Sequence, residues 1–344
     1  MDISKGADEI MEKIVYAGEI SNVVGEAGTN VGGMLEKVRQ TMADLTEKEP
    51  SDIYIRDLLA VNTFAPISVR GGVAGEFSME QAVGIASMVN SDKLQMSIIA
   101  QEVERELGIT VEIGGAEAEA AILGALTTPG TDRPLAILDL GAGSTDASII
   151  DSRGQILAVH LAGAGDMVTM LINSELGLEN HHLAEDIKRY PLAKVESLFH
   201  IRHEDGTVQF FDKPLSGDLF ARVVIVKEND EFVPIDDGDY SIEKIKLVRQ
   251  SAKERVFVIN AIRALKRVSP TQNIRDIPFV VIVGGSALDF EIPQLVTEAL
   301  SQHAIVAGRG NVRGLVGPRN AVATGLILTY VREKWGGDYG ISLY

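Results

Sequence analysis

One segment, Leu135–Asp166, constrains the fold of this chain more than any other. It begins with the apolar run LAIL, continues through the glycine turn DLGAGSTD, and then reads as a second strand, a tight turn and a third strand. Gly141 and Gly143 carry no Cβ, so the backbone can turn sharply there and approach a ligand closely. Successive N–H groups in such a turn suit phosphate oxygens. The segment therefore predicts either a phosphate-binding turn or a plain hairpin whose acids cap the turn.

Two carboxylates bracket this turn. Asp139 and Asp146 supply the hard oxygen ligands that hold Mg²⁺ or orient a water molecule, and Ser144 and Thr145 add hydroxyl donors. We expect Asp139 to be a catalytic and metal-binding carboxylate. Asp146 is expected to be a second metal ligand or a capping acid. Ser144 and Gly143 are expected to approach the β- and γ-phosphates of a nucleotide.

A second glycine turn, Gly284–Ser286, follows the apolar strand of IPFVVIVGGSALDF. In open α/β sheets, ligands bind at the carboxyl ends of the strands. Two glycine turns at such ends are what a single nucleotide cleft requires. One turn is then expected near the phosphates and the other near the base or ribose.

The composition excludes several classes of protein. No apolar run reaches the roughly 20 residues of a membrane span, and the first residues lack the blocks of a signal peptide. The absence of cysteine excludes disulfides and thiolate metal sites, and is compatible with the cytosol. A net charge of −17 repels nucleic acid and anionic membranes, so neither is expected as a partner. Five histidines show no spacing typical of metal ligands: His160, His181, His182, His200 and His203.

The rest of the chain predicts helices and strands. Residues 1–44 read as helical, and their glycine-rich interruption is either a phosphate loop or, since it lacks the lysine of a P-loop, a junction between helices. From residue 109 onward, strands alternate with helices, which predicts an α/β sheet with helices on its faces. Short strands are expected within 53–72 and 109–115, a helix over 79–89 after the N-cap Ser78, and a hairpin turn over 151–154. A helix over 183–199 broken at Pro191, an antiparallel β insertion over 206–239 and a long basic helix over 241–268 are expected to follow.

Taken in order, the motifs resemble those of the actin-like ATPase superfamily, which includes sugar kinases, actin and the large heat-shock chaperones. DLGAGSTD at 139–146 is similar to its second phosphate motif, and VIVGGSALDF at 281–290 to its adenosine motif. AEAEAAILGAL at 116–126 and GPRNAVATGLIL at 317–328 are similar to the two helices that connect the lobes. The resemblance implies an α/β, actin-like ATPase (ribonuclease H-like) fold. Its first lobe would be partial, and its second lobe complete with a small β insertion.

The same resemblance implies roles for residues outside the turns. Glu185, Lys188 and Arg189 match the E-x-x-K-R pattern with which the chaperones sandwich adenine and ribose; ordinary exposed helix cations are the alternative for the two basic residues. Glu117 matches an acid near the metal in the chaperones, which makes it a candidate catalytic residue, and a solvated helix face is the alternative. The full expected nucleotide-binding set is Gly141, Gly143, Ser144, Glu185, Lys188, Arg189, Gly284, Gly285, Ser286 and Arg319.

Longer runs are similar to one family, the large subunit of diol and glycerol dehydratase reactivase. They are GAGTNVGGMLEKV, GGAEAEAAILGALTTPG, YPLAKVESLFHIRHEDG and VAGRGNVRG. Members of that family are chaperones that use ATP to release damaged cobalamin from inactivated adenosylcobalamin-dependent dehydratases. The resemblance therefore implies ATP or ADP and Mg²⁺ as cofactors, and a small reactivase subunit and a diol or glycerol dehydratase as partners. It also implies a cytoplasmic location, with association with a bacterial microcompartment as a further option.

The domain organisation follows from the same resemblance. Residues 1–52 contain no strand with the D-x-G turn of the superfamily's first phosphate motif, and no swivelling domain is found. We expect residues 1–130 to be a remnant of the first lobe with its connecting helix. Residues 131–335 are expected to form the second lobe with an inserted β subdomain at about 200–240, and 336–344 a flexible tail. The chain is expected to be the ATPase-like portion of a truncated or split protein, with weak ATP hydrolysis once the missing phosphate loop is supplied.

Two other functions remain open at this point. One is a nucleotide-binding assembly module without turnover, which the missing first phosphate motif favours. The other is a small-molecule kinase of the same superfamily. A kinase needs a substrate-side base and a sugar-binding lobe, for which the sequence offers no candidate.

Overall fold

The computed structural model of the protein describes residues 6–68, 77–89, 93–131, 136–150, 155–235 and 240–335. The predicted hairpin turn at 151–154 and the predicted tail at 336–344 lie outside the described residues. The chain begins with α1 (Gly6–Ala17) and α2 (Asn30–Thr46). Thr29 caps α2, because its Oγ1 accepts a hydrogen bond from Gly32 N at 3.0 Å. The glycine-rich interruption is therefore a junction between two helices, as predicted.

A long hairpin follows, formed by β1 (Ile55–Ser68) and β2 (Phe77–Val89). The predicted helix over 79–89 with Ser78 as its N-cap is wrong, because these residues pair antiparallel with β1 along their whole length. Val83, Ile85 and Val89 alternate along β2 and pack against the apolar cluster of α1 and α2. This two-residue period fits a strand, and pairing with β1 decides between it and the helical spacing.

Both faces of β1 are buried, and a β-bulge determines the face on which Ile55 lies. The register shifts between Ile55, which pairs with Val89, and Asp57, which pairs with Met88. An extra residue in one strand reverses the side on which the following side chains lie. Ile55 and Leu58 therefore pack with α1 and α2, whereas Leu59 joins the core of the α/β domain.

After α3 (Lys93–Leu107) the chain enters α4 (Glu117–Ala125) through irregular backbone. The predicted strand over 109–115 is wrong. The N–H of Val111 donates to the carboxylate of Glu104 at 2.8 Å instead of to a neighbouring strand. A short alternating run forms a strand only where a sheet edge can receive its hydrogen bonds.

The central sheet begins with β3 (Ala136–Leu140), β4 (Ser144–Ile150) and β5 (Ile156–Ala162), which form an antiparallel meander. Two helices follow it, α5 (Gly165–Glu175) and α6 (His181–Arg189). The predicted helix over 183–199 is wrong beyond Pro191. The chain there forms a strand because Leu192, Ala193 and Val195 are buried and pair with strands on both sides.

That strand, β6 (Leu192–Ser197), belongs to a separate five-stranded antiparallel sheet with β7 (His200–His203), β8 (Val208–Phe210), β9 (Val223–Val226) and β10 (Phe232–Pro234). The order of the strands is β10-β9-β6-β7-β8. The predicted β insertion is confirmed, and it begins earlier than expected, at Leu192.

The remaining elements complete the central sheet. The predicted basic helix is α7 (Ile242–Lys253) and α8 (Ile259–Val268), joined through a π-helical turn at Glu254–Val258. It is followed by β11 (Phe279–Val283), α9 (Ile292–Ser301), β12 (Val306–Arg309) and α10 (Ala321–Trp335). The strand order is β12-β11-β3-β4-β5, and β11 is parallel to both β3 and β12. This mixed α/β sheet confirms the predicted fold class.

Helices cover both faces of the central sheet because successive side chains of a strand point to opposite faces. On β11, Val280 and Ile282 face the core built with α5, α8 and α9. Val281 and Val283 face α4 and the start of α10. In the part of the chain that is described, no helix is long and apolar enough to cross a membrane.

The two predicted connecting helices, α4 and α10, touch backbone to backbone. A Cβ on Gly124 would overlap the backbone of Ala321, and a Cβ on Gly325 would overlap the backbone of Ala120. Each helix therefore presents a glycine where the other approaches. The absence of a side chain at these two positions sets the distance between the helices.

We expect Gly325→Ala to destabilise the protein by about 2 kcal/mol, because the added methyl group forces α4 and α10 apart. Gly33→Ala is the matched control, since a Cβ at Gly33 in α2 meets only open space and alanine is the better helix former. Urea unfolding of the three proteins checks the prediction. Equal stability of Gly325→Ala and the parent would contradict the close packing of these helices.

Candidate functional site

The two glycine turns lie side by side. β3 and β11 are parallel neighbours in which Asp139 pairs with Val283, so both strands end at the same level. Ser286 Oγ donates a hydrogen bond to Gly141 O at 2.8 Å, which joins one turn to the other. Gly284 has a φ of +95°, and a Cβ there would overlap the carboxylate of Asp139. The structure therefore brings together the two turns that the sequence predicts at one cleft.

The segment that connects β5 to α5 packs against the first turn and donates hydrogen bonds to it. Gly141 N donates to Ser144 O at 3.0 Å and closes the turn. Its carbonyls accept hydrogen bonds in sequence: Gly141 O from Gly165 N at 3.3 Å, Ala142 O from Asp166 N at 2.8 Å, and Gly143 O from Gly163 N at 3.1 Å. The turn is fixed through its carbonyls, and a Cβ at Gly143 would enter open space.

Acidic side chains line the sheet beside this turn. Asp139, Asp146 and His160 are in register across β3, β4 and β5, so their Cβ atoms are cross-strand neighbours. Ser144 Oγ donates to Asp146 Oδ2 at 3.0 Å, so this hydroxyl contacts the predicted metal ligand. Glu117, in the first turn of α4, lines the same small pocket as Asp139 and Asp146. The predicted acids of the site are therefore assembled around one pocket.

Burial and, to a smaller extent, the negative charges of Asp146 and Glu117 together raise the pKa of Asp139 from 3.8 to about 6. The side-chain contact with Asp146 raises the pKa of His160, whose Nδ1 lies 3.2 Å from Asp146 Oδ1. His160 has no role in the predicted site, and it is a neighbour that the sequence analysis missed. The sequence signal for His160 is its position two residues before Ala162, the last residue of β5. This position points to Asp146 only once the register between β4 and β5 is known.

The predicted adenosine-side lysine is buried against the start of α5. Lys188 is 8% exposed, and its Nζ donates to Gly165 O at 3.0 Å, to Thr169 Oγ1 at 2.8 Å and to Glu185 Oε2 at 2.5 Å. Gly165 is one of the residues whose N–H groups donate to the first glycine turn. Lys188 therefore connects α6 to that turn through Gly165. The alternative of an ordinary exposed cation is excluded for Lys188.

Glu185 and Arg189 differ in their placement. Burial alone would raise the pKa of Glu185, but hydrogen bonds from Lys188 and Thr169 outweigh it and lower this pKa below its ordinary value. Arg189 is exposed, and its guanidinium lies 5.4 Å from the centre of the Tyr190 ring. Thr169 is a site neighbour that the sequence analysis missed, because a hydroxyl within an apolar helical face reads as part of the core.

The remaining predicted residues surround the second turn. Gly285 is exposed, and a Cβ there would meet only open space. Gly284 N donates to Pro318 O at 3.1 Å, which brings the loop before α10 to this turn. Arg319 follows Pro318 and is exposed. All the predicted nucleotide-binding residues thus lie on the two turns, on α6, or on the loop that binds Gly284.

Two buried cations of α7 support the second turn, and the sequence analysis missed both. Lys253 Nζ donates to both carboxylate oxygens of Asp289, at 2.8 and 2.9 Å, and to Glu291 at 2.8 Å. Arg249 pairs with Glu291 at 2.8 Å and with Glu204 of the inserted sheet at 2.9 Å. Both cations are completely buried. Asp289 and Glu291, the acids that follow Ser286, were the sequence signal for these cations, since buried carboxylates require cationic partners.

The comparison with known proteins agrees with this arrangement. The family model described as diol dehydratase reactivase ATPase-like domain matches residues 1–330. The chain belongs to this family. The propanediol dehydratase-reactivating factor large subunit of Salmonella typhimurium (strain LT2) is 69% identical over 333 residues, which are 97% of this chain and 54% of that protein.

Solved structures give the same result. The nucleotide-free diol dehydratase-reactivating factor matches with a TM-score of 0.87 and 69% identity, over 96% of this chain and 54% of that one. A glycerol dehydratase reactivase matches with a TM-score of 0.86 and 61% identity, over 95% of this chain and 54% of that one. The chain spans about half the length of the curated relatives it matches. The predicted family resemblance is confirmed.

The acids of this reactivase-family chain fit a metal that brings most of its own ligands. Within the described ranges, no three histidine or acidic side chains are placed to hold a metal ion by themselves. Asp146 Oδ1 is buried beside Asp139, and its neighbour there is His160 Nδ1 at 3.2 Å. Mg²⁺ in nucleotide sites takes one or two carboxylates, with phosphates and water at its other positions. The pair Asp139 and Asp146 suits that mode of binding.

We expect Asp139→Asn to stabilise the protein without nucleotide and Mg²⁺, increasingly as the pH rises. The pKa of Asp139 is raised in the folded state, so its contribution to stability is present below about pH 4 and lost as the pH rises through about 6. Above that pH, the variant should gain about 3 kcal/mol. Urea unfolding with EDTA across this range checks it.

Asp205→Asn is the control of opposite sign. Hydrogen bonds from Thr207 lower the pKa of this exposed acid, so its contribution to stability is lost as the pH falls. A stability difference between Asp139→Asn and the parent that stays constant with pH would contradict the raised pKa of Asp139.

Proposed function

We propose that this chain is the ATPase-like portion of a dehydratase reactivase and binds ATP or ADP with Mg²⁺ between its two glycine turns. As part of a longer protein with a small reactivase subunit, it would use the nucleotide cycle to release damaged cobalamin from an inactivated adenosylcobalamin-dependent diol or glycerol dehydratase. Membership of the reactivase family supports the client and the partner. The cysteine-free composition supports a cytoplasmic setting.

One observation carries the nucleotide-binding part of this proposal. Ser286 Oγ donates to Gly141 O, and Gly165 N donates to the same carbonyl. A single backbone oxygen thus joins the phosphate-type turn, the adenosine-type turn and the start of α5. A ligand with an anionic end and a planar, polar end can contact both turns at once in such a cleft, and a nucleoside di- or triphosphate has this form.

On the phosphate side, the protein's own groups would position the phosphates and Mg²⁺ and orient the attacking water. The open space above Gly143 lets an oxyanion approach the backbone of the turn. Asp139 and Asp146 are the candidate ligands of Mg²⁺, which would neutralise the charge of the phosphates when bound. Asp139 would also orient the attacking water, because phosphoryl transfer to water depends on placement and charge rather than on a covalent nucleophile.

On the adenosine side, the expected contacts come from α6 and from the second turn. Glu185 is held in its ionised form by Lys188, so it offers a carboxylate oxygen to ribose hydroxyl groups. Gly285 leaves room for the base or the sugar. Arg189, exposed beside Tyr190, is free to reorient toward a bound adenine.

We expect Gly285→Val to abolish measurable ADP binding without loss of stability, since its side chain enters open space within the proposed cleft. Gly217→Val is the matched control, because Gly217 in the inserted sheet also has open space around it. Titration calorimetry with Mg²⁺ and ADP compares the two variants. Equal ADP affinity of Gly285→Val and the parent would place the cleft elsewhere.

We expect Asp139→Ala to lower ATP turnover much more than ATP affinity. The carboxylate is needed chiefly in the transition state, and loss of a positioned group of this kind typically lowers the rate by about 10²–10³-fold. Phosphate release and calorimetry measure the two quantities separately. Unchanged turnover would transfer the role to Glu117 or Asp146, which line the same pocket.

The whole proposed activity is tested by reactivation of a cyanocobalamin-inactivated diol dehydratase. The chain is supplied with the small subunit, ATP and Mg²⁺, with and without the additional region that the longer relatives contain. We expect recovery of dehydratase activity only with that region present. Binding of ADP without any ATP turnover in both mixtures would favour an assembly module, and the proposed reactivation would then fail.

A further inference from the structure

A buried carboxylate in the amino-terminal hairpin is bound to the segment beneath the first glycine turn. Asp57 of β1 is 1% exposed. Its Oδ2 accepts a hydrogen bond from Ala162 N, at the end of β5, at 3.0 Å. Its Oδ1 accepts from Arg263 Nη2 at 2.9 Å and from Arg267 Nη1 at 3.0 Å, both on α8. Asp57 thus joins three parts of the chain that are distant in sequence.

The network continues from α8 to the backbone that follows β5. Arg263 Nη1 donates to Asn260 Oδ1 at 2.5 Å. Asn260, completely buried, donates through Nδ2 to Ala162 O at 2.8 Å and to Gly163 O at 2.7 Å. Thr145 Oγ1 donates to the same Gly163 O at 3.0 Å. Both carbonyls at this bend are therefore held by side chains.

The bend at Gly163 is the segment on which the first turn rests. The N–H groups of Gly163, Gly165 and Asp166 donate to the three successive carbonyls of the turn. Gly163 has a φ of +92°, and a Cβ there would overlap the side chain of Leu59 from β1. Its conformation is thus enforced by packing as well as by hydrogen bonds.

A second contact joins β1 to the far end of α5. Thr63 Oγ1 donates to Glu175 Oε1 at 3.1 Å, and Arg255 Nη2 pairs with the same oxygen at 2.8 Å. The six steps from Asp57 to Thr63 span about 20 Å in an extended strand. The 11 residues of α5 span about 16 Å. β1 therefore has the length needed to hold both ends of α5.

Stability alone does not account for the buried charges. Replacing a buried ion pair with apolar side chains of similar volume is often neutral or stabilising, whereas such a pair requires a defined geometry. Arg263 Nε and Arg267 Nη2 are buried without a hydrogen-bond partner among the described residues, which adds a desolvation cost. The hydrogen bonds of Asp57 and Asn260 instead fix the position of the backbone bend at Gly163.

From these contacts we propose that Asp57 and Asn260 are positioning residues that fix the nucleotide-binding turn through the bend at Gly163. The inference rests on the proposed nucleotide site for its consequence, but its structural part is independent of any ligand. Coupling between two sites is reciprocal. Nucleotide bound at the turn should therefore also stiffen β1, which gives the amino-terminal hairpin a means of sensing the occupied site.

The test uses Asp57→Asn, Asn260→Leu and the milder Thr145→Val, which removes one hydrogen bond to Gly163 O. Arg39→Gln is the matched control. Arg39 is also buried and belongs to the same amino-terminal unit, but its hydrogen bonds go to Glu36, Asn22 and Val23. Hydrogen–deuterium exchange of residues 162–168 and calorimetric titration with Mg²⁺ and ADP are measured on all four variants and the parent.

We expect faster exchange at 162–168 in the three network variants and parent-like exchange there in Arg39→Gln. ADP affinity should fall about tenfold in Asp57→Asn and Asn260→Leu, and by less in Thr145→Val. Thermal melting of all four variants tests whether loss of stability alone produces this pattern. If Asp57→Asn does not fold, Thr145→Val still decides the outcome.

Unchanged exchange in the network variants would overturn the positioning role, whether or not ADP binds. Faster exchange together with parent-like ADP affinity would also overturn it, because the turn would then not determine nucleotide binding. Failure of the parent to bind ADP at all would instead remove the proposed function. In that case the exchange measurements would still decide whether Asp57 and Asn260 fix the bend.

Discussion

The parallel pairing of β3 with β11 is the contact on which the functional region depends. Because Asp139 lies opposite Val283, the two strands leave the sheet at the same level and their turns must share one space. That space is so narrow that only glycine can stand at 284, beside the Asp139 carboxylate. The hydrogen bond from Ser286 to Gly141 then fixes one turn against the other. A shift of one register position would separate all of these contacts.

Electrostatics at this site differ from what a phosphate-binding cleft usually offers. The chain carries a net charge of −17, and Asp139, Asp146 and Glu117 concentrate negative charge beside the first turn. Burial is the main cause of the raised pKa of Asp139, and repulsion from Asp146 and Glu117 adds to it. Lys188, a buried cation that contacts Gly165 next to the turn, is already paired with Glu185. Favourable binding of a polyphosphate therefore requires backbone donors and a divalent cation, which is why the proposed nucleotide and Mg²⁺ belong together.

Local signals predicted one part of the fold well. β3, β4 and β11 were predictable because each is an apolar strand next to a glycine turn, and the basic helix because its period is long and regular. The wrong predictions of secondary structure concern segments whose conformation depends on whether a neighbouring strand pairs with them. Residues 79–89 become a strand because β1 is available to pair with them, and residues 192–197 because β7 and β9 flank them. Residues 109–115 pair with no strand of the described ranges and are irregular.

The residues of the candidate site also differ in whether local sequence could predict them. The glycine turns are contiguous in sequence, so Gly141 and Gly284 could be predicted to approach one ligand, and the family resemblance added Lys188 through the E-x-x-K-R pattern. Asn260 and Lys253 could not, because a polar residue on a helix reads as exposed unless its partner is known. Their partners, Gly163 O and Asp289, come from distant parts of the chain. Sequence reasoning thus predicted the two turns and α6 as neighbours and missed the polar residues that hold them in place.

The amino-terminal hairpin belongs to the same cooperative unit as the central sheet. Leu59 and Val61 of β1 are buried in the cluster that contains Leu138 and Leu140 of β3, so unfolding of β1 would expose the core beneath the first turn. Alternation along β1 makes this possible, because Leu58 and Ala60 face α1 and α2 while Leu59 and Val61 face the domain. A boundary at residue 130 remains a prediction from the resemblance. The shared core instead argues that stability lost in the hairpin is also lost at the turn, since Leu59 and Val61 are part of the core that supports it.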